Sequence, residues 1–268
     1  MEVKIIPTGG LCNRLRAIAT GLAVAKNYHC PSVIYWNNSQ GLKADYCELF
    51  KPIPQDDVKL IENKQWLYNI NGTKDYLLRW FLLKTQFEQT VFNFNTYKEG
   101  EVYSKLKNNY SRSLLLISCH PMCTTKYTIQ GLFIPQDDIQ QRIDEVIASF
   151  SEHTIGVHIR RTDNLVSIQS SPLENFTKIM DAEIKKNANT KFYVASDDDE
   201  VKEHLNSMYP NNIITLMDDT NRNSLEGMKF AVLDLFCLSK TNKIIGSVGS
   251  SYSQIAAEIG GIEVKYAK

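Results

Sequence analysis

The sequence is short of every feature that would tie it to a membrane or a polyanion. No run within its 268 residues approaches the roughly twenty consecutive apolar residues of a bilayer span. The opening MEVKIIPT lacks the apolar centre of a secretory signal. Thirty basic residues offset thirty acidic ones, so no net field draws the chain to nucleic acid or an anionic lipid surface. Cysteine is sparse: six residues, too scattered for a disulfide framework. The tightest group, Cys119-His120-Pro121-Met122-Cys123, has no second ligand pair, which argues for reduced, mostly buried thiols over zinc. Internal repeats and low-complexity tracts are missing too. These absences lead us to expect a soluble cytoplasmic protein with no metal, no transmembrane segment and no nucleic-acid partner.

The chain nevertheless has enough apolar residues, 43%, to build one large core or two smaller ones. Its first segment runs from a strand (Val3 to Ile6) through a Gly-rich turn into a helix (Leu11 to Lys26), then a strand (Ser32 to Trp36). From about Ile53 to Tyr110 periodicity is weak and aromatics are frequent (Trp66, Tyr68, Tyr76, Trp80, Phe81, Phe87, Phe92, Phe94, Tyr97), which suggests the core of a partly helical region. Leu114 to Ser118 forms a buried strand. Beyond Asp137 strands and helices alternate: helix to Phe150, strand Thr154 to Arg160, helix Leu173 to Asn187, strand Lys191 to Ala195, helix Glu200 to Met208. The series continues with strand Ile213 to Leu216, helix Leu225 to Ser239, strand Lys243 to Gly246, helix Ser250 to Ile259 and strand Ile262 to Tyr266. Such alternation predicts a parallel sheet with helices on both faces, and hence an α/β protein of two Rossmann-like domains facing a cleft. The domains are expected at residues 1–130 and 131–268.

Chemistry should then gather at the carboxyl ends of the strands. His158-Ile159-Arg160-Arg161-Thr162-Asp163 places two guanidiniums where a strand leaves the core. An unpaired buried charge is costly and arginine forks suit phosphate, so Asp163 is expected to satisfy one arginine and an anion the other. Ser196-Asp197-Asp198-Asp199 is either a helix cap or a ligand for a base edge or a ribose. Gly246-Ser247-Val248-Gly249-Ser250-Ser251 is a candidate anion cradle before a helix, without the Walker lysine or dinucleotide glycine spacing. It also fails to match the GxSxG elbow of serine hydrolases. Asp234, in an apolar helix pattern, is either solvent-facing or a deliberately buried acid. At the other end of the chain, GGLCNRLRAIATG opens a helix with glycines and cations, as if an anion were expected there. Residue by residue, this describes a diphosphate-binding α/β protein.

The same stretches resemble a known family. His158 to Asp163 look like the HxRRTD motif of the α1,6-fucosyltransferase and nodulation fucosyltransferase group. Asp197-Asp198, Asp234-Leu235-Phe236-Cys237-Leu238-Ser239 and Gly249-Ser250-Ser251 with Glu258-Ile259 resemble its later motifs in order. Gly9-Gly10-Leu11-Cys12-Asn13-Arg14 is similar to the loop that opens the wider superfamily. The resemblance implies a GT-B fold and inverting, metal-independent transfer of fucose from GDP-fucose to an oligosaccharide or glycan acceptor, with no cofactor and a bacterial or viral origin. It implies that Arg160, Arg161 and Asp163 are catalytic, with both arginines on the diphosphate, His158 beside it and Asp163 bracing them. Asp197 and Asp198 would join the donor site, Asp234 would read guanine, Ser250 and Ser251 would hold phosphate oxygens, and Gly10, Asn13 and Arg14 would meet the donor from the first domain. Of Arg14 and Arg16, one is expected to face solvent or an interdomain acid. The α1,6 enzymes carry a Lys directly after the motif Asp and a proposed Glu base a few residues on. Here Asn164 and Ile168 stand in those places, so either Asp163 or Glu174 supplies the base, or leaving-group stabilisation dominates.

Overall fold

The computed structural model describes residues 1–63, 84–93, 112–121 and 127–268. The aromatic residues Trp66, Tyr68, Tyr76, Trp80, Phe81, Phe94 and Tyr97, and Cys123, lie outside the described residues. The chain divides into two compact units, Met1–Ile134 and Pro135–Lys268, four residues beyond the expected boundary. No described helix is long and apolar enough to cross a membrane.

Among the described residues, unit 1 holds five strands, β1 (Val3–Pro7), β2 (Ser32–Trp36), β3 (Val58–Glu62), β4 (Phe87–Asn93) and β5 (Ser113–Ser118), in the order β3-β2-β1-β5-β4. Every neighbouring pair is parallel. β1 and β2 are nearly or wholly buried, as apolar runs in a covered parallel sheet must be. Helix α1 (Leu11–Asn27) returns the chain from β1 to β2, burying Leu15, Ile18 and Leu22. A short helix α2 (Tyr46–Leu49) follows β2, opened by an Asp45 and Glu48 capping box. β3 and β4 were not anticipated. Lys59 and Glu62 in β3 and Glu88 and Gln89 in β4 interrupt the apolar pattern, and among the described residues both are edge strands.

Unit 2 repeats the plan with β6 (Thr154–Ile159), β7 (Lys191–Ser196), β8 (Ile213–Thr215), β9 (Lys243–Gly246) and β10 (Glu263–Tyr266). The order is β10-β9-β6-β7-β8, all parallel. Its helices are α3 (Asp137–Ile147), α4 (Leu165–Ser170), α5 (Leu173–Lys186), α6 (Asp199–Met208), α7 (Leu225–Ser239) and α8 (Ser251–Gly260). Alternation within the strands splits the core in two. Ile155, Val157 and Ile159 on β6 join Phe192 and Val194 on β7 against Phe176 and Met180 of α5 and Leu205 of α6. The other face is covered by α7 and α8, and α8 comes so near that a Cβ on Gly246 would lie 2.6 Å from the Ser253 Cβ. Strand order reverses between β6 and β9, from which the chain leaves in opposite directions. That is the position where doubly wound sheets open a crevice at their carboxyl ends.

Candidate functional site

The loops after β6, β7 and β9 are sewn into one body. The Arg160 N–H donates to Ser247 Oγ at 3.0 Å, and the Ser247 N–H donates to the His158 carbonyl at 3.2 Å. Asp197, at the end of β7, accepts from the Arg161 N–H at 2.8 Å, the Thr162 N–H at 3.2 Å and the Thr162 hydroxyl. It also pairs with Arg160 Nη1 at 3.0 Å. Burial works against its ionisation, yet the Thr162 hydroxyl, the Arg160 guanidinium and the two amides outweigh it and hold its carboxyl below the usual range. Asp197 is therefore the hub of the arginine loop. The cap is its neighbour: Asp198 accepts from the Glu200 N–H at 3.0 Å at the start of α6.

The two motif arginines have different surroundings. Arg160 Nη2 donates to Asp163 Oδ1, and Arg222, on the loop before α7, donates to Asp163 Oδ2. Partial burial opposes the charge on Asp163, but Arg222 and Arg160 still hold its pKa below the ordinary value. Arg161 instead turns back into the unit. Its Nη2 donates to the Ser171 carbonyl at 2.9 Å, its Nη1 to the Arg160 carbonyl at 3.2 Å, and its guanidinium lies 5.9 Å over the Phe176 ring. The expectation that one motif arginine lacks a partner within the chain is therefore corrected: both are satisfied, and Asp163 braces Arg160 together with Arg222 in place of Arg161.

The Ser/Gly loop is fixed by α4, an element the sequence reading lacked. Ser167 Oγ donates to the Val248 carbonyl at 2.7 Å, and the Val248 N–H donates to Ser171 Oγ at 2.9 Å. Asn164 caps α4 by accepting from the Ser167 N–H at 3.1 Å, while its Nδ2 donates to the Gly249 carbonyl at 3.4 Å. Gly249 sits at φ +74°, a left-handed conformation that favours glycine. Ser250 is the N-cap of α8, accepting from the Tyr252 N–H at 3.3 Å, and Ser251 is its first residue. Ser247, Ser171, Thr162 and Arg222 were not singled out by sequence. Ser247 stood inside the quoted Ser/Gly stretch, whereas nothing in the polar run around Arg222 separates it from an ordinary loop.

His158 and Asp234 lie deeper, on the face covered by α7 and α8. The His158 ring stacks on Tyr252 at 4.8 Å, and its Nδ1 is buried without a hydrogen-bond partner. Burial lowers its pKa to about 4, so the imidazole is neutral at pH 7. The Tyr252 hydroxyl donates to the Ala231 carbonyl on α7 at 2.5 Å. Asp234, three residues on, is a buried acid that accepts from the Tyr193 hydroxyl, and burial raises its pKa to about 7. Of the two readings left open for Asp234, the solvent-facing one is excluded.

In unit 1, Gly9 adopts φ +79° and a Cβ there would meet Asn13 Nδ2 at 3.2 Å and Cys119 Cβ at 3.3 Å. Gly10 is the extended N-cap of α1 with open space around it, and Asn13 Oδ1 accepts from Arg16 Nη2 at 3.2 Å. Arg14 is a correction. It is 3% exposed, donating to the Gly9 carbonyl at 2.8 Å, the Asn37 carbonyl at 2.6 Å and Ser39 Oγ at 2.7 Å, with its guanidinium 5.0 Å over Trp36. Arg16 is buried as well, so neither arginine faces solvent. Arg14 ties the β1 turn to the segment after β2. Replacing it with Met should destabilise unit 1 by about 3 kcal/mol, because two carbonyls lose their donors. Urea unfolding measures this, and an unchanged midpoint would show that the contacts carry no stability.

No protein-family model and no curated protein sequence matches the chain. Its fold does match solved structures: two five-stranded parallel α/β units, counted over the described residues, are the fold that fucosyltransferase structures share with this chain. The NodZ α-1,6-fucosyltransferase co-crystallised with GDP aligns with a TM-score of 0.64 over 95% of this chain and 91% of that one, at 15% identity. An Arabidopsis thaliana FUT1 variant in complex with GDP aligns at 0.62, 14% identity, over 99% of this chain and 69% of that one. POFUT1 in complex with GDP aligns at 0.55 and 11% identity, covering 99% and 98%. NodZ from Bradyrhizobium gives 0.62 at 16% identity over 95% and 91%.

Proposed function

We propose that this protein is a glycosyltransferase that moves fucose from GDP-fucose to a glycan acceptor, with inversion and without a metal ion. The observation that carries the reading is Arg160 at the switch point of unit 2. Its guanidinium is aimed by Asp197 and its backbone by Ser247, in a fold whose solved examples include complexes with GDP and GDP-fucose. In this reading the acceptor oxygen bonds to the anomeric carbon as the bond to the β-phosphate oxygen breaks. The electron pair goes to the diphosphate, and the acceptor proton passes to solvent. Arg160 meets the charge that develops on the leaving group, the term that usually contributes most in such reactions. Ser250 and Ser251 sit where the α8 N-terminus can hold a phosphate oxygen. His158 and Asp234 are proposed as the guanine side of the site, and Gly10 and Asn13 stand in the proposal on the resemblance alone.

Asp163 makes a poor base, since two guanidiniums stabilise its anion and lower its affinity for a proton. Asn164 is committed to capping α4. This supports leaving-group stabilisation as the main catalytic device, and it also supports a second reading, a GDP-sugar-binding module without turnover. Incubation with GDP-fucose, following GDP release with and without a panel of oligosaccharide acceptors, separates the two. Acceptor-dependent release is the expected result. Binding without release across the panel supports the silent module, and release only from another GDP-sugar would replace fucose.

A further inference from the structure

We infer that the second cation of the diphosphate site is Arg222, with Arg161 serving as a structural strut. This rests on the donor reading above. A carboxylate bridging two guanidiniums offers them what a phosphate offers, a pair of anionic oxygens at hydrogen-bonding distance. Asp163 is such a bridge: Oδ1 takes Arg160 Nη2 and Oδ2 takes Arg222 Nη2, all three side chains being partly exposed. The carboxylate thus occupies the position between two arginine forks that a diphosphate would take. Arg161 cannot fill that role without abandoning two backbone carbonyls and the Phe176 ring.

The loop that presents Arg222 is built to hold its place. The Asn221 N–H donates to Asp219 Oδ1 at 2.8 Å, and the Ser224 hydroxyl donates to Asp219 Oδ2 at 2.7 Å. The Asn223 N–H donates to Asn221 Oδ1 at 2.9 Å, and the Gly227 N–H to Ser224 Oγ at 3.0 Å. The Asn221 carbonyl lies only 2.1 Å from where a Cβ on Gly227 would stand, so the loop rests on α7 at a point that only glycine leaves open. A side chain flanked by such a framework is preorganised for a ligand.

Calorimetric titration of the full chain with GDP and with guanosine tests the assignment. For Arg222→Ala the expected result is a 10- to 100-fold loss of GDP affinity, about the value of one charge-assisted bond to phosphate, with guanosine affinity changed less than about 2-fold. Arg222→Lys keeps the charge without the fork and should recover part of the loss. Asp163→Asn removes the negative charge and one acceptor that compete with a diphosphate for the two forks, and should tighten GDP. Unchanged GDP affinity in Arg222→Ala overturns the inference, and so does an equal loss for GDP and guanosine, which marks a general disturbance of the site. If the unmodified chain binds no GDP, the donor reading itself fails, a result distinct from either.

Discussion

Arg160→Ala should lower fucosyl transfer by about 10²- to 10³-fold while leaving the melting temperature close to that of the parent. The separation is expected because the framework around Arg160 survives its loss. Asp163 keeps Arg222, and Asp197 keeps the Arg161 and Thr162 amides and the Thr162 hydroxyl. Arg161→Ala should behave differently. It strips the donors from two carbonyls and uncovers Phe176, so activity should fall together with thermal stability. Measuring kcat/KM and Tm for both variants decides the matter. Transfer by Arg160→Ala within a few-fold of the parent would remove Arg160 from the reaction.

Asp234→Asn carries the second large effect, in stability and in the opposite direction. Asn keeps an Oδ1 that can accept from the Tyr193 hydroxyl, but it never becomes a buried anion. Asp234 has a folded pKa raised to about 7 against about 4 in the unfolded chain, so its contribution is complete below the unfolded value and is lost as pH rises through 7. His158 has its folded pKa depressed to about 4, so its contribution is present above about 6.5 and is lost as pH falls through 4. Between pH 4 and 7 the two slopes oppose each other, and the parent profile should be nearly flat. Asp234→Asn unmasks the histidine. Its stability advantage over the parent should widen by roughly 3 kcal/mol between pH 5 and pH 8. If Asp234 meets guanine, it does so as the carboxylate, and at pH 8 the same variant should bind GDP at least about 10-fold more weakly, since an amide offers one acceptor oxygen where a carboxylate offers two. Urea unfolding at the two pH values, with a GDP titration alongside, reads both. A gap that does not change with pH would mean Asp234 is not held protonated.

Such an acid is unfavourable to folding in neutral solution, which is why its place on an apolar helix face stood out in the sequence. Other features were legible for similar reasons. The strands and helices of unit 2 alternate cleanly because the inner strands are covered on both faces and the helices bury one stripe. Strand ends therefore fell within a residue or so, and the arginine motif landed at the end of β6 as expected. What the sequence could not reveal was what each cation touches. Arg14 and Arg161 end on backbone carbonyls, and a carbonyl leaves no trace in residue type. Asp197 and Asp198 are neighbours of one kind, yet one organises the arginine loop and the other caps α6, a division set by where β7 stops. Arg222 comes from a run with no periodicity, and its loop takes its position from the hydrogen bonds of Asp219, Asn221 and Ser224 and from the close approach of Asn221 to Gly227. In GGLCNRLRAIATG, Gly9 takes a left-handed conformation close against Asn13 and Cys119, and both arginines turn inward.

Equilibrium titration with nucleotide sugars tests most directly whether unit 2 is a GDP-sugar site. Titrated with GDP-fucose, UDP-glucose and dTDP-rhamnose, the protein should bind GDP-fucose alone, and Arg160→Ala should weaken that binding by about 10- to 100-fold. Binding of the uridine or thymidine sugar in preference to GDP-fucose, or full GDP-fucose affinity in the Arg160→Ala variant, would contradict that reading.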